Sequence, residues 1–88
     1  MELRHLRYFC AVAEEKNMTR AAEKIFMAQP PLTRQIKQLE EEIGVQLIQR
    51  EARGITLTPA GEYFWKQAQL ILEKLASCVE ECRRIDAG

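Results

Sequence analysis

Apolar positions recur at helical spacing from the start of the chain. Leu3, Leu6, Phe9 or Cys10, and Ala13 mark one face of a helix whose pattern stops at Lys16-Asn17. Asn17, with Thr19 close behind, is a favoured cap for a second, short helix through Ala21, Ala22, Ile25 and Phe26. Its two adjacent alanines allow a neighbouring helix to approach closely. After a break at Met27-Ala28, Gln29-Pro30-Pro31 opens a third helix, since a first-turn proline gives up only an N–H that has no intrahelical acceptor. At about 100° per residue Leu32, Ile36, Leu39 and Ile43 fall in one arc, and Gly44 is placed to end the helix. Two helices joined so briefly predict a helix-turn-helix. Residues 45–50, a turn at Glu51-Ala52-Arg53-Gly54, and the alternating residues 55–58 then predict a β-hairpin, which in this position is a wing. Thr58-Pro59 caps and opens a last helix that runs to about Ile85.

The predicted fold class is therefore mainly α: a winged helix-turn-helix of three helices and a two-stranded hairpin over residues 1–58, followed by a long helix over 59–88. Composition agrees. With 88 residues, 47% of them hydrophobic and 30% charged, the chain suits one small folded domain. Four Gly and three Pro leave little room for a loop-rich or all-β chain. No apolar run reaches the length of a signal peptide or a membrane span, so a cytoplasmic protein with no membrane partner is expected.

Charge changes the picture only when it is placed on the helices. Lys plus Arg and Asp plus Glu number 13 each, a neutral total that by itself argues against nucleic acid. On the third helix, however, Pro30, Thr33, Arg34 and Lys37 lie opposite the apolar arc, with Gln29 at its margin and no acid before Glu40-Glu41-Glu42. Amide, hydroxyl and cation together match the edges and phosphates of a major groove. A solvated helix face is the plain alternative. The wing weighs against it: Arg50 and Arg53 flank the hairpin turn, where arginine can enter a minor groove or grip a phosphate. Asn17, Thr19 and Arg20, at the start of the second helix, add candidate backbone contacts.

The last helix has a different task. Trp65, Ala68, Leu72, Leu75, Val79 and Cys82 step by three and four, as in a coiled-coil seam, and Phe64, Ala68, Ile71, Leu75, Cys78, Cys82 and Ile85 form an overlapping stripe. A helix about 40 Å long outruns a domain this small. Its start is expected to pack on the domain and its remainder on a second copy, against the alternative of a helix folded wholly on its own domain. Twofold symmetry would place two reading heads on two half-sites. Cys10, Cys78 and Cys82 have no metal-ligand spacing and read as reduced thiols that pack as small hydrophobes, with an interchain disulfide as the other reading for Cys78 and Cys82. No cofactor is expected, and no enzyme: there is no Ser/His/Asp set, no phosphate-cradling Gly-rich loop, and the single histidine, His5, has no ligand-spaced companion.

The run "TRAAEKIFMAQPPLTRQIKQLEEEIGVQLIQR" followed by "ITLTPAG" resembles the signature of the LysR-type bacterial transcriptional regulators, over nearly the whole chain. "MELRHLRYF" and "AQPPL" are similar to the branch that controls aromatic-compound catabolism. The resemblance implies base-edge contacts from Gln29, Pro30, Thr33, Arg34 and Lys37, and backbone or minor-groove contacts from Arg50 and Arg53. It implies pairing of two subunits through a linker helix starting at Thr58, on an operator that is an interrupted inverted repeat of double-stranded DNA. A small-molecule inducer would act only through a C-terminal domain absent from these residues. Two positions depart from the common pattern. Ala28 replaces a serine cap, which typically costs about 1 kcal/mol, and Ile48 replaces a larger phenylalanine. A winged-helix adaptor that binds protein through its long helix is the competing function.

Overall fold

The computed structural model describes all 88 residues. It comprises four helices, α1 (Leu3–Glu15), α2 (Met18–Lys24), α3 (Gln29–Ile43) and α4 (Pro59–Ala87), and one antiparallel hairpin, β1 (Ile48–Glu51) with β2 (Gly54–Leu57). In the hairpin Ile48 faces Leu57, Gln49 faces Thr56, and Arg50 faces Ile55.

α1 is the centre of the molecule. Because α2, α3 and α4 all pack on it, Phe9, Ala11, Val12 and Ala13 are buried in sequence rather than along one stripe. Leu3, expected on its buried face, is 40% exposed. Thirteen buried residues from α1, α2, α3 and the hairpin form the main core, and Leu6, Cys10 and Ala68 form a second cluster where α4 crosses α1. The Phe9 and Phe64 rings join the two edge to face, with centroids 5.3 Å apart.

The cap of α2 is as expected: the Asn17 side chain accepts from Arg20 N–H at 2.9 Å. Its end is not. The helix stops at Lys24, and Phe26 takes a left-handed conformation with φ 58° while 96% exposed. Met27 N–H then donates back to the Ala22 carbonyl at 2.9 Å, and Phe26 N–H to the Glu23 carbonyl at 3.2 Å. This paired closure satisfies the last carbonyls and normally uses glycine at the left-handed position. Turning the chain sharply into α3 is what takes Phe26 out of the helix. α3 itself starts at Gln29 with no side-chain cap from Ala28, and ends at Gly44, φ 87°.

The first strand begins at Ile48 rather than Val45. Hydrogen bonding from outside the hairpin accounts for the difference. The Glu40 carboxylate, on the last turns of α3, accepts from Leu47 N–H at 2.7 Å and Ile48 N–H at 3.1 Å. Thr58 donates through its N–H to the Leu47 carbonyl at 3.0 Å and through its hydroxyl to the Gln46 carbonyl at 2.8 Å. The Thr58 hydroxyl also accepts from Gly61 N–H at 2.9 Å, which caps α4. Gln46 and Leu47 are thus pinned to α3 and the start of α4 and are not free to pair across the hairpin. The wing is anchored from its other side by Ile55 N–H donating to the Lys16 carbonyl at 2.9 Å. Gly54 permits that approach, since a Cβ there would meet the same oxygen at 2.6 Å.

Candidate nucleic-acid interface

α3 and the hairpin border a groove of about 720 Å³, lined by Gln29, Pro30, Thr33, Arg34 and Lys37 from one side and Gln46, Ile48 and Arg50 from the other. Met18, Ile36 and Glu40 form the rest of its wall. All five expected recognition-helix residues therefore share one surface, because Leu32 and Leu39 hold the opposite face of α3 in the core and Ile36 is buried at the groove's edge. Of the expected second-helix contacts, Asn17 spends its side-chain oxygen on the cap of α2, while Thr19 and Arg20 stand exposed at the start of that helix. Arg53 is exposed in the two-residue turn between the strands. Arg50 lies one strand position inside that turn and reaches back, its Nη2 donating to Thr33 Oγ1 at 3.3 Å.

The distribution of ion pairs is informative. Arg4, Lys24 and Arg84 are the cationic side chains with carboxylate partners: Glu2, Glu14 with Glu15, and Glu81. None lines the groove. Arg34, Lys37 and Arg50, which line the groove, have no carboxylate within ion-pair distance, nor do Arg20 on α2 and Arg53 in the wing turn. Arg7, Lys16, Lys66, Lys74 and Arg83 are likewise unpaired on other parts of the surface. Glu40, the one acid in the groove wall, has a carboxylate oxygen occupied by two backbone N–H groups. A chain that is neutral overall thus keeps an unneutralised cationic face, whose potential is not cancelled locally. From sequence Glu40 is only the first of three acids at the C-terminal end of α3. Its clamp on residues 47 and 48 depends on a contact between α3 and the start of the hairpin that no periodicity signals.

His5 also has a specific place. Its Nδ1 accepts from Glu2 N–H at 2.9 Å, so the ring proton sits on Nε2, 2.8 Å from Gln35 Oε1. This ties the start of α1 to the middle of α3. No group of three His, Cys, Asp or Glu side chains is positioned to hold a metal ion, and no helix is long and apolar enough to cross a membrane.

α4 divides the expected seam. Ala68 is buried against Leu6 and Cys10, and Trp65, Phe64 and Leu72 pack around it, so these residues serve the domain's own core. The Trp65 indole N–H is buried without an acceptor. Leu75 is half-buried, and every residue from Ala76 onward is exposed. Ile71 at 48%, Val79 at 41% and Ile85 at 71% exposure leave apolar surface unpartnered on a molecule extended to 54 Å along one axis against 25 and 20 Å along the others. Cys78 and Cys82 are exposed free thiols and Cys10 a buried one. Cβ atoms four apart on a helix are about 5–6 Å from one another, wider than a disulfide spans, so Cys78 and Cys82 do not pair within one helix.

Burial, and secondarily the Glu14 carboxylate, push the Cys10 thiol above its ordinary value. The unfolded chain then gives up this proton first, so the contribution of Cys10 to stability is intact at neutral pH and falls as pH rises through the ordinary thiol range. In the native protein at neutral pH a thiol reagent is expected to consume two cysteines quickly and the third only on unfolding. Three equally fast thiols would contradict the packing of α1 on α4.

Three helices, a tight helix-turn-helix and a two-stranded wing define the class: a winged helix-turn-helix domain. Residues 3–62 match the model of the bacterial regulatory helix-turn-helix protein, lysR family, and the chain belongs to that family. It is 51% identical over 85 residues to the HTH-type transcriptional regulator BenM of Acinetobacter baylyi, covering 97% of this chain and 28% of the relative. The fold superimposes on the crystal structure of a BenM_DBD/catB site 1 DNA complex with a TM-score of 0.96 at 50% identity, covering 100% of this chain and 99% of the other. A CbnR_DBD–DNA complex matches with a TM-score of 0.88 at 48% identity, with both chains covered completely. The chain thus spans under a third of the length of a full regulator such as BenM. Its relatives are transcriptional regulators, a non-enzymatic family.

Proposed function

We propose that this domain binds a specific double-stranded DNA site as a homodimer and acts as the reading head of a cytoplasmic transcriptional regulator. α3 enters the major groove through Gln29, Pro30, Thr33, Arg34 and Lys37. Arg53 at the wing tip meets the adjacent minor groove or its phosphates, and Thr19 and Arg20 approach the backbone. The observation that carries the reading is that Arg34, Lys37 and Arg50, none of them paired with a carboxylate, line one groove with Gln29, Pro30 and Thr33, while its single acid, Glu40, is engaged by backbone N–H groups. The exposed Ile71, Val79 and Cys82 of α4, with the half-buried Leu75, supply the dimer contact. The inducer of the complete regulator is assigned to a C-terminal domain beyond residue 88.

Selection of bound duplexes from a random library, followed by titration of the winner at several salt concentrations, tests this reading. An enriched, twofold-related site with a steep salt dependence is expected. Absence of enrichment would favour a protein-binding adaptor. For the dimer, Leu75→Glu is expected to convert the protein to a monomer in sedimentation while leaving its helical content intact, because Leu75 lies at the edge of the domain's own packing. A variant that sediments like the parent would move the seam elsewhere.

A further inference from the structure

The Thr33 hydroxyl has one proton to donate and two lone pairs with which to accept. All three are in use. It donates to the Gln29 carbonyl at 3.1 Å, accepts from Gln29 Nε2 at 3.0 Å, and accepts from Arg50 Nη2 at 3.3 Å. Because its proton is committed to a carbonyl, the hydroxyl can only accept from the Gln29 amide. That fixes the amide with Nε2 toward Thr33 and Oε1 away from it. The pleat of the hairpin explains why Arg50 takes part: side chains alternate along a strand, so Arg50 shares the face of Ile48, which is buried toward α3, rather than the outer face of Gln49.

We infer that Arg50 is a positioning residue of the reading face, linking the wing to α3 and holding the Thr33 hydroxyl, and through it the Gln29 amide, in the arrangement that faces a base. The inference rests on the DNA-binding reading above and reassigns Arg50, which sequence resemblance places among the backbone and minor-groove contacts. With its hydroxyl saturated, Thr33 offers the groove its methyl group, which suits the 5-methyl of thymine. Gln29 offers Oε1 as acceptor and its remaining Nε2–H as donor, the pair that matches the N6 and N7 edge of adenine. Wing and recognition helix therefore read as one unit, and Arg53 remains as the wing's own contact.

The free protein gives the first test. In nitrogen-15 spectra the Gln29 side-chain amide resonances are expected to shift in Arg50→Ala and Thr33→Val and to stay in place in Arg53→Ala. Unmoved resonances in Arg50→Ala would overturn the link whether or not the domain binds DNA. The second test uses the selected operator, with each thymine replaced in turn by deoxyuridine and each adenine by another base. Deleting one thymine methyl is expected to weaken the parent about threefold to fivefold per half-site and to leave Thr33→Ser unaffected. Arg50→Ala is expected to lose about tenfold of its discrimination for adenine with the salt slope unchanged, and Arg50→Lys, which restores a donor, to recover most of it. If Arg50→Ala instead keeps its base preferences and lowers the salt slope, Arg50 is a phosphate contact and the inference fails. Failure to select any operator, with the amide shifts present, would sink the DNA-binding reading and leave the link as a packing feature only.

Discussion

Gly61→Ala is expected to destabilise the domain by about 3 kcal/mol. Gly61 lies in the first turn of α4, where alanine is the better helix former by about 1 kcal/mol, so local propensity predicts the opposite sign. Tertiary contact decides. A methyl at Gly61 would lie far inside van der Waals distance of the Leu47 carbonyl oxygen and also crowd the Leu47 carbonyl carbon. These are backbone atoms, and the same oxygen already accepts from Thr58 N–H at 3.0 Å. Neither side can yield without lifting α4 from the hairpin and breaking the Thr58 clamp. At about 4–8 °C per kcal/mol for a domain of this size, the thermal midpoint should drop by about 12–24 °C. Gly44→Ala is the matched control. Its φ of 87° makes alanine strained, but nothing lies within 4 Å of the new methyl, so only about 1–2 kcal/mol is expected. Equal losses in the two variants, measured by denaturant unfolding, would show that the close approach is not what holds α4 in place.

The second large effect is on binding. Arg34 is exposed on the groove face of α3 and has no intramolecular carboxylate. Removing it should leave stability within about 0.5 kcal/mol of the parent. Loss of one such contact costs about 1–3 kcal/mol. In a symmetric dimer each substitution removes two arginines, so Arg34→Ala should lower operator affinity by about 2–6 kcal/mol, or roughly 30-fold to more than ten-thousandfold. The pattern of loss identifies the contact. Relaxed preference at one base step in each half-site marks base readout, whereas a uniform loss with a shallower salt slope marks phosphate. Arg83→Ala, exposed on the far half of α4, is the comparison. An Arg34→Ala protein that binds the operator like Arg83→Ala would remove the groove from the interface.

Much of this molecule is written locally. α3 begins at Gln29 and ends at Ile43 as its prolines, apolar arc and Gly44 predict, and α4 opens at Thr58-Pro59. The same arc places Pro30, Thr33, Arg34 and Lys37 on one surface, because helix periodicity alone sets which side chains share a face. Those features depend on residues within a few positions of one another, and a sequence displays them directly.

What the tertiary structure decided involves partners far apart in the chain. α1 is buried on several sides because three helices converge on it, so Val12 is lost to solvent as completely as Phe9 while Leu3 is not. Glu40 and Thr58 hold residues 46–48 from two directions, which delays the first strand to Ile48. Ala68 belongs to the second core cluster through Leu6 and Cys10, although its spacing fits an intersubunit seam equally well. Arg50, read as an outward contact, stays exposed but lies on the face of Ile48, within reach of Thr33. Periodicity states which residues must leave water; only the packed arrangement states which neighbour covers each of them and which polar groups that neighbour brings.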